Sequence, residues 1–129
     1  MQPQTKAINL ILSTINNNLT LFKPLELVPL SDTGGLSMEI SPGYNSTIFL
    51  NKKANRVIPL LFLCKDMNQA TVYDTLCEIG NYLQRLKEYP QVAEVTWNNA
   101  TVTTEPSYVT RQEDGYWIYS CVIDVEIYF

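Results

Sequence analysis

The apolar positions along the chain change period several times, and each change marks an element. From Gln69 onward Val72, Leu76, Ile79, Leu83 and Leu86 recur at steps of four, three, four and three. At about 100° per residue this spacing gathers them on one narrow face of an α-helix, opposite Asp74, Glu78, Asn81 and Arg85. Asn68 is a good N-cap, or Asp66 if the helix starts a turn earlier, and the chain must leave the helix before Pro90. Arg85 and Lys87 in the last turn suit the negative helix end. The run before it, Val57-Ile58-Pro59-Leu60-Leu61-Phe62-Leu63-Cys64, reads as a core strand feeding this main core helix. Because proline cannot donate to a sheet ladder, the regular strand is expected to begin at Leu60, or to bulge there.

Elsewhere the pattern is shorter in range. Pro3 suits the first turn of a helix running to about Asn17, with Ile8, Ile11, Leu12, Ile15 and then Leu19 on one face and Leu10 off it. Leu19 to Pro29 is extended and contains two prolines, which makes it an edge strand or an irregular connection. Ser31 to Gly35 is a turn cluster. Leu36, Met38 and Ile40 alternate with Ser37 and Glu39 as in a half-buried strand, closed by Pro42-Gly43. Asn45 to Leu50 forms the next strand, and the polar loop Asn51 to Arg56 lets the flanking segments pair as a hairpin.

Val92 to Trp97 reads as a strand, Asn98-Asn99 as a tight turn and Ala100 to Thr104 as the returning strand. Glu105-Pro106-Ser107 interrupts the pattern, and Tyr108 to Gln112 leads to the turn Glu113-Asp114-Gly115. Tyr116 to Phe129 is the clearest strand, with Trp117, Tyr119, Cys121, Ile123, Val125, Ile127 and Phe129 on one face. At about 3.3 Å per residue it would extend roughly 45 Å, so it should bend or reach beyond its own domain. The order of helix, strands, helix and strands predicts a single α+β domain over residues 1–129. Its expected form is a mainly antiparallel β-sheet with two α-helices packed on one face, plus β-hairpin extensions.

Composition narrows the function more by exclusion than by assignment. With 46% hydrophobic and 17% charged residues the chain is globular, and a net charge of −4 argues against a dedicated nucleic-acid binder. The absence of histidine removes the commonest general base and the commonest metal ligand. Cys64, Cys77 and Cys121 are far apart and lack CxxC pairing, so they read as free thiols in a reducing cytoplasm, with no metal or cofactor implied. No phosphate-binding glycine motif is present, Gly34-Gly35 being too short. No apolar run approaches the ~20 residues that span a bilayer, and Asn9 and Ser13 make the N-terminal segment amphipathic rather than a signal peptide. The glycosylation triplets at Asn18, Asn45 and Asn99 are expected by chance in an Asn- and Thr-rich chain.

Three charged groups remain. Asp74 and Glu78 lie opposite the core stripe and read as solvated. Asp124 and Glu126, with Tyr128, interrupt an otherwise apolar strand face, which suits an interface or the guarding of an edge. Lys52, Lys53 and Arg56 form the densest positive charge: a solvated hairpin tip, or a complement to acidic residues of a neighbouring subunit or to passing nucleic acid.

The opening helix, the strand end Met38-Glu-Ile-Ser-Pro-Gly43, the Val57 to Leu63 strand with its helix Ala70-x-x-Tyr73-x-x-Leu76-x-x-Ile79-x-x-Tyr82-Leu83, and the closing Gly115-Tyr-Trp-Ile-Tyr-Ser120 followed by Val122, Asp124 and Glu126 share an order and texture. Together they resemble the tail terminator proteins of long-tailed bacteriophages, often labelled minor capsid proteins in Gram-positive phages. The resemblance covers nearly the whole chain and implies a ring, typically a hexamer, in the neck of the virion. Such a ring caps the tail tube, halts its polymerisation and offers a surface to head-completion or connector proteins. Its implied partners are further copies of itself, the major tail protein and, passively, DNA in the lumen. It would be present in the host cytoplasm during assembly, with no membrane contact and no catalysis.

Interface positions come from this sequence: Lys52, Lys53 and Arg56, the turn Glu113-Asp114-Gly115, and Asp124, Glu126 and Tyr128. A ring needs two different patches per subunit, and opposite charge on loop and strand would serve. The competing expectations are a ligand-binding or enzymatic α+β domain, with Tyr73, Tyr82, Trp97, Trp117 and Tyr119 lining a pocket, and a non-viral protein–protein adaptor.

Overall fold

The computed structural model describes residues 1–41, 45–48 and 52–129, with the side chains of 45–48 excepted. Among the described residues two helices and six strands follow in order: α1 (Pro3–Asn18), β1 (Leu25–Glu26), β2 (Gly35–Ile40), β3 (Asn45–Ile48), β4 (Ala54–Asp66), α2 (Gln69–Arg85), β5 (Thr96–Arg111) and β6 (Trp117–Tyr128). All six strands join one sheet, ordered β1-β2-β4-β6-β5, with β3 also paired to β4. Among the described residues only the short β1–β2 pairing is parallel, so the protein has the α+β architecture with a mainly antiparallel sheet.

Strand β4 is the spine. One edge pairs with β6 without a register shift, from Asn55 opposite Tyr128 to Asp66 opposite Trp117. Its other edge is shared: β2 takes Leu60 to Lys65, and β3 takes Ala54 to Val57. The second pairing is the hairpin expected across the polar loop. Pro59 lies between the two, where the Ser41 N–H donates to its carbonyl at 2.8 Å. In an antiparallel strand the N–H and C=O of one residue point to the same side, so the donor that Pro59 lacks would face the gap between β2 and β3. The strand therefore continues through Pro59 with no bulge, and the expected start at Leu60 is corrected.

Both helices cover the same face of this sheet. Ile58, Leu60, Phe62 and Cys64 of β4 and Tyr119, Cys121, Ile123, Val125 and Ile127 of β6 form one cluster with Ala7, Ile8, Ile11 and Ile15 of α1 and Val72, Leu76, Ile79 and Leu83 of α2. The periodic stripe of α2 is thus its core face. Its first turn is capped as the sequence suggests, with Asn68 Oδ1 accepting from the Thr71 N–H at 3.2 Å. The helix stops at Arg85, leaving Lys87 beyond it. Leu10, off the apolar stripe of α1, is still half-buried against the core.

The hairpin expected at Asn98-Asn99 does not form. Val92 and Val95 make only an isolated bridge, after which β5 runs unbroken from Thr96 through Asn98-Asn99 and Glu105-Pro106-Ser107 to Arg111. Where a tight turn was expected, the register slips between Trp97 and Asn99. The slip has a packing cause: Trp97 and Ala100, an odd number of positions apart, are both buried, at 1% and 2% exposure, opposite Ile127 and Val125. Only an extra residue can turn both to the core. Pro106 lies at another irregularity of this outermost strand, where its missing donor breaks no long ladder. Strand β6 is matched along its length by β4 and β5, so it has no part extending beyond the domain. Pro42-Gly43 and Phe49-Leu50-Asn51 lie outside the described residues.

Candidate interaction surfaces

The second face of the sheet carries the less usual chemistry. Across β4 and β6 the pairs are Val57 with Glu126, Pro59 with Asp124, Leu61 with Val122 and Leu63 with Ser120. All eight residues are half-buried, and no helix among the described residues covers them. Antiparallel sheets with one solvated face normally alternate apolar inside with polar outside. Here the outward positions keep an apolar centre of Val57, Pro59, Leu61, Leu63 and Val122. Glu39, opposite Leu61 on β2, brings a third carboxylate to the same face as Asp124 and Glu126. At the far end Lys65 is buried at 5% exposure, its Nζ 5.0 Å from the centroid of the Tyr116 ring. Such a face suits contact with another macromolecule better than open solvent.

The two edges of the sheet differ. On β5 the Gln91 side chain imitates a strand: its amide N–H groups donate to the Trp97 carbonyl at 2.9 Å and the Tyr89 carbonyl at 2.8 Å, and its Oε1 accepts from the Trp97 N–H at 3.0 Å. Gln84, from α2, accepts from the Val102 N–H at 2.8 Å. These bonds occupy the edge at Trp97 and Val102, and Pro106 and the repeated register slips make the rest of it a poor template for further strand pairing. At the opposite edge β1 pairs only Leu36 and Ser37, so the end of β2 extends past it. Beside that end lies a groove of about 370 Å³ lined by Gln4, Thr5, Ile8, Asn9, Leu27, Met38, Glu39 and Ile40. Strand alternation made Ile40 a core residue, yet it is 53% exposed at the mouth of this groove.

The residues singled out from the sequence fall into two regions. Lys52, Lys53 and Arg56 lie where β4 starts and β6 ends, beside Glu126 and Tyr128. The Arg56 guanidinium donates to the Phe129 carbonyl at 2.9 Å and stacks 3.7 Å from the centroid of that ring. Lys53 Nζ lies 5.8 Å from the Tyr128 ring centroid, and Asn55 donates to Glu126 at 2.8 Å. Basic loop and acidic strand end thus share one corner of one chain. Asp124 is further along the open face, opposite Pro59 and Thr101. Glu113 and Asp114 are exposed at the β5–β6 turn, where Asp114 accepts from the Tyr116 N–H at 3.3 Å and Gly115 takes φ 92°. The solvated reading of Asp74 and Glu78 holds: both are exposed.

No known family model matches the chain, and a search of characterised proteins found no match.

The aromatic residues do not converge on one pocket. Trp97 is buried against Tyr89, with ring centroids 4.8 Å apart. At the other end of the sheet Tyr73, Tyr108, Trp117 and Tyr119 form an edge-to-face chain with centroids 6.0–6.2 Å apart. Arg111 stacks 4.8 Å from the Trp117 ring, and Gln69 donates to the Tyr119 hydroxyl at 2.6 Å. Tyr73 and Tyr108 in this chain are exposed, as are the adjacent Val109 and Met67. The thiols nearby offer little reactivity: burial pushes Cys64 and Cys121 up to about 12, far above the range in which a thiolate forms. Sequence reasoning missed Gln84, Gln91 and the groove. Nothing local marks a glutamine as an edge clamp, because its role depends on which backbone groups the sheet leaves unpaired.

Proposed function

We propose that this chain is a structural ring subunit of the tail terminator kind, which caps the tail tube of a long-tailed bacteriophage and offers a joining surface to the head. The observation that supports this reading most is the uncovered sheet face, apolar at its centre and ringed by Glu39, Asp124 and Glu126. An isolated domain has no use for half-buried Leu61, Leu63 and Val122 on a face that no element among the described residues covers, whereas a subunit between neighbours does. The resemblance in element order and in the Gly115 to Ser120 segment points to the same class. In this reading the partners are further copies of the chain, the major tail protein and a head-completion protein, and the subunit contributes surface rather than chemistry.

Sedimentation velocity and negative-stain microscopy of the purified chain test the reading. The expected result is a closed ring, most simply of six copies, with a central opening. A chain that stays monomeric from micromolar to millimolar concentration overturns it.

A further inference from the structure

We infer that the sheet face left uncovered among the described residues is self-complementary: two copies of the chain pack face to face through it, their strands running in opposite directions. The face is not uniform along its length. Its apolar middle is Leu61 and Leu63 on β4 and Val122 on β6, Lys65 lies at one end, and Asp124 and Glu126 lie toward the other, opposite Pro59 and Val57. Lys65 is 5% exposed, yet it makes no ion pair: its Nζ rests on the Tyr116 ring, and the one salt bridge among the described residues joins Lys6 to Glu94. Asp124 has no side-chain partner among the described residues either. A nearly buried ammonium without a counter-charge is unfavourable in an isolated chain, and a carboxylate brought from outside relieves it.

Position along the strands makes a second copy the source of that carboxylate. A two-fold axis between the two sheets, perpendicular to the strands and midway between Leu61 and Leu63, carries Lys65 of each copy to the level of Pro59 in the other, whose register partner is Asp124. Sheets packed face to face lie about 10 Å apart, within the combined reach of a lysine and an aspartate side chain. The same operation sets Leu61 of one copy against Leu63 of the other and encloses Val122, so apolar meets apolar and each cation meets an anion. Strands running the same way would instead set Lys65 against Lys65. Glu39, exposed on β2 and level with Leu61, lies near the axis and meets its own counterpart at the rim, the one unfavourable charge contact of the pairing. Because the contact is isologous, it is separate from the head-to-tail contact that repeats around a ring. It goes beyond the ring reading and does not depend on it; where rings form, it stacks two of them.

Native mass spectrometry and sedimentation velocity of the full chain test the pairing. Even copy numbers are expected: pairs on dilution, and twelve copies where rings of six form. Val122→Asp and Asp124→Lys should each weaken the pairing about tenfold or more, as expected at an interface centre. Glu39→Gln, at an exposed position, should tighten it. Glu39→Arg mixed with the wild-type chain should give more mixed pairs than the statistical half, because unlike charges then meet across the axis. Copy numbers that Val122→Asp leaves unchanged, or mixed pairs at only the statistical half, overturn the pairing. Single rings of six in the wild type overturn it too, leave the ring reading standing and give the face to a different protein. Pairs that never close into rings support the pairing and overturn the ring reading, and a chain that is monomeric at every concentration overturns both.

Discussion

Gln91→Ala tests how far one exposed side chain closes the sheet edge. Gln91 makes three hydrogen bonds of 2.8–3.0 Å, two of them to the backbone of Trp97, itself 1% exposed. A net contribution of about 1 kcal/mol per bond sets an upper figure near 3 kcal/mol; water reaching the vacated edge recovers part of it, leaving about 2 kcal/mol. For a chain of this length that corresponds to a fall in Tm of roughly 6–10 °C. Equilibrium urea unfolding followed by tryptophan fluorescence gives the free energy directly, and the midpoint should drop with the slope unchanged. Gln91→Glu is the sharper control: it keeps an acceptor for the Trp97 N–H but turns a second oxygen toward the carbonyls of Tyr89 and Trp97. It should be at least as destabilising as Ala above the carboxyl pKa and should recover on acidification. A Gln91→Ala change within about 0.5 kcal/mol of wild type, the range of an ordinary surface substitution, would refute the clamp.

Gly34→Ala should cost about 1–3 kcal/mol in the same unfolding assay, because φ is +94° and a Cβ there would lie 2.7 Å from the Lys65 carbonyl oxygen. Gly35→Ala is the companion control, since nothing lies within 4 Å of its Cβ although its φ of +147° also disfavours a side chain. Asn68→Ala removes the N-cap bond to Thr71 and should cost about 1 kcal/mol. Cys64 and Cys121 link stability to alkaline pH: both stay protonated when folded up to about 12, while an exposed thiol, with its ordinary pKa of 9.0, releases its proton earlier. The unfolded state therefore gains as pH rises, and their contribution is full below pH 9.0 and is lost toward pH 12, by up to about 1.4 kcal/mol per pH unit for each thiol. A Cys64→Ala, Cys121→Ala variant should start less stable at neutral pH but show a flatter alkaline loss; equal slopes would refute the linkage.

The elements that the sequence determined by itself are those whose pattern repeats over many residues. The four-three-four-three spacing from Val72 to Leu86 and the strict alternation from Trp117 to Ile127 each leave one geometry that buries the apolar set, so α2 and β6 form where the period places them. The Asn68 cap is equally local. The α+β layering followed from element order, and Asp74 and Glu78, read as solvated, are exposed.

Only the tertiary structure decided the rest, because it depends on partners distant in sequence. Asn98-Asn99 has the chemistry of a turn, but β6 offers an unbroken ladder and a core position for both Trp97 and Ala100, so the local preference yields to a bulge. Pro59 has the chemistry of a strand breaker, but its missing donor lies on the edge shared by β2 and β3, and the ladder to β6 runs through it in register. Ile40 has the alternation of a core residue, but β2 outruns the element that would cover it, and its side chain is left at the mouth of a groove. Periodicity fixes which face of an element is apolar; what that face meets is set by the ends and edges of other strands, and those carry no local signal.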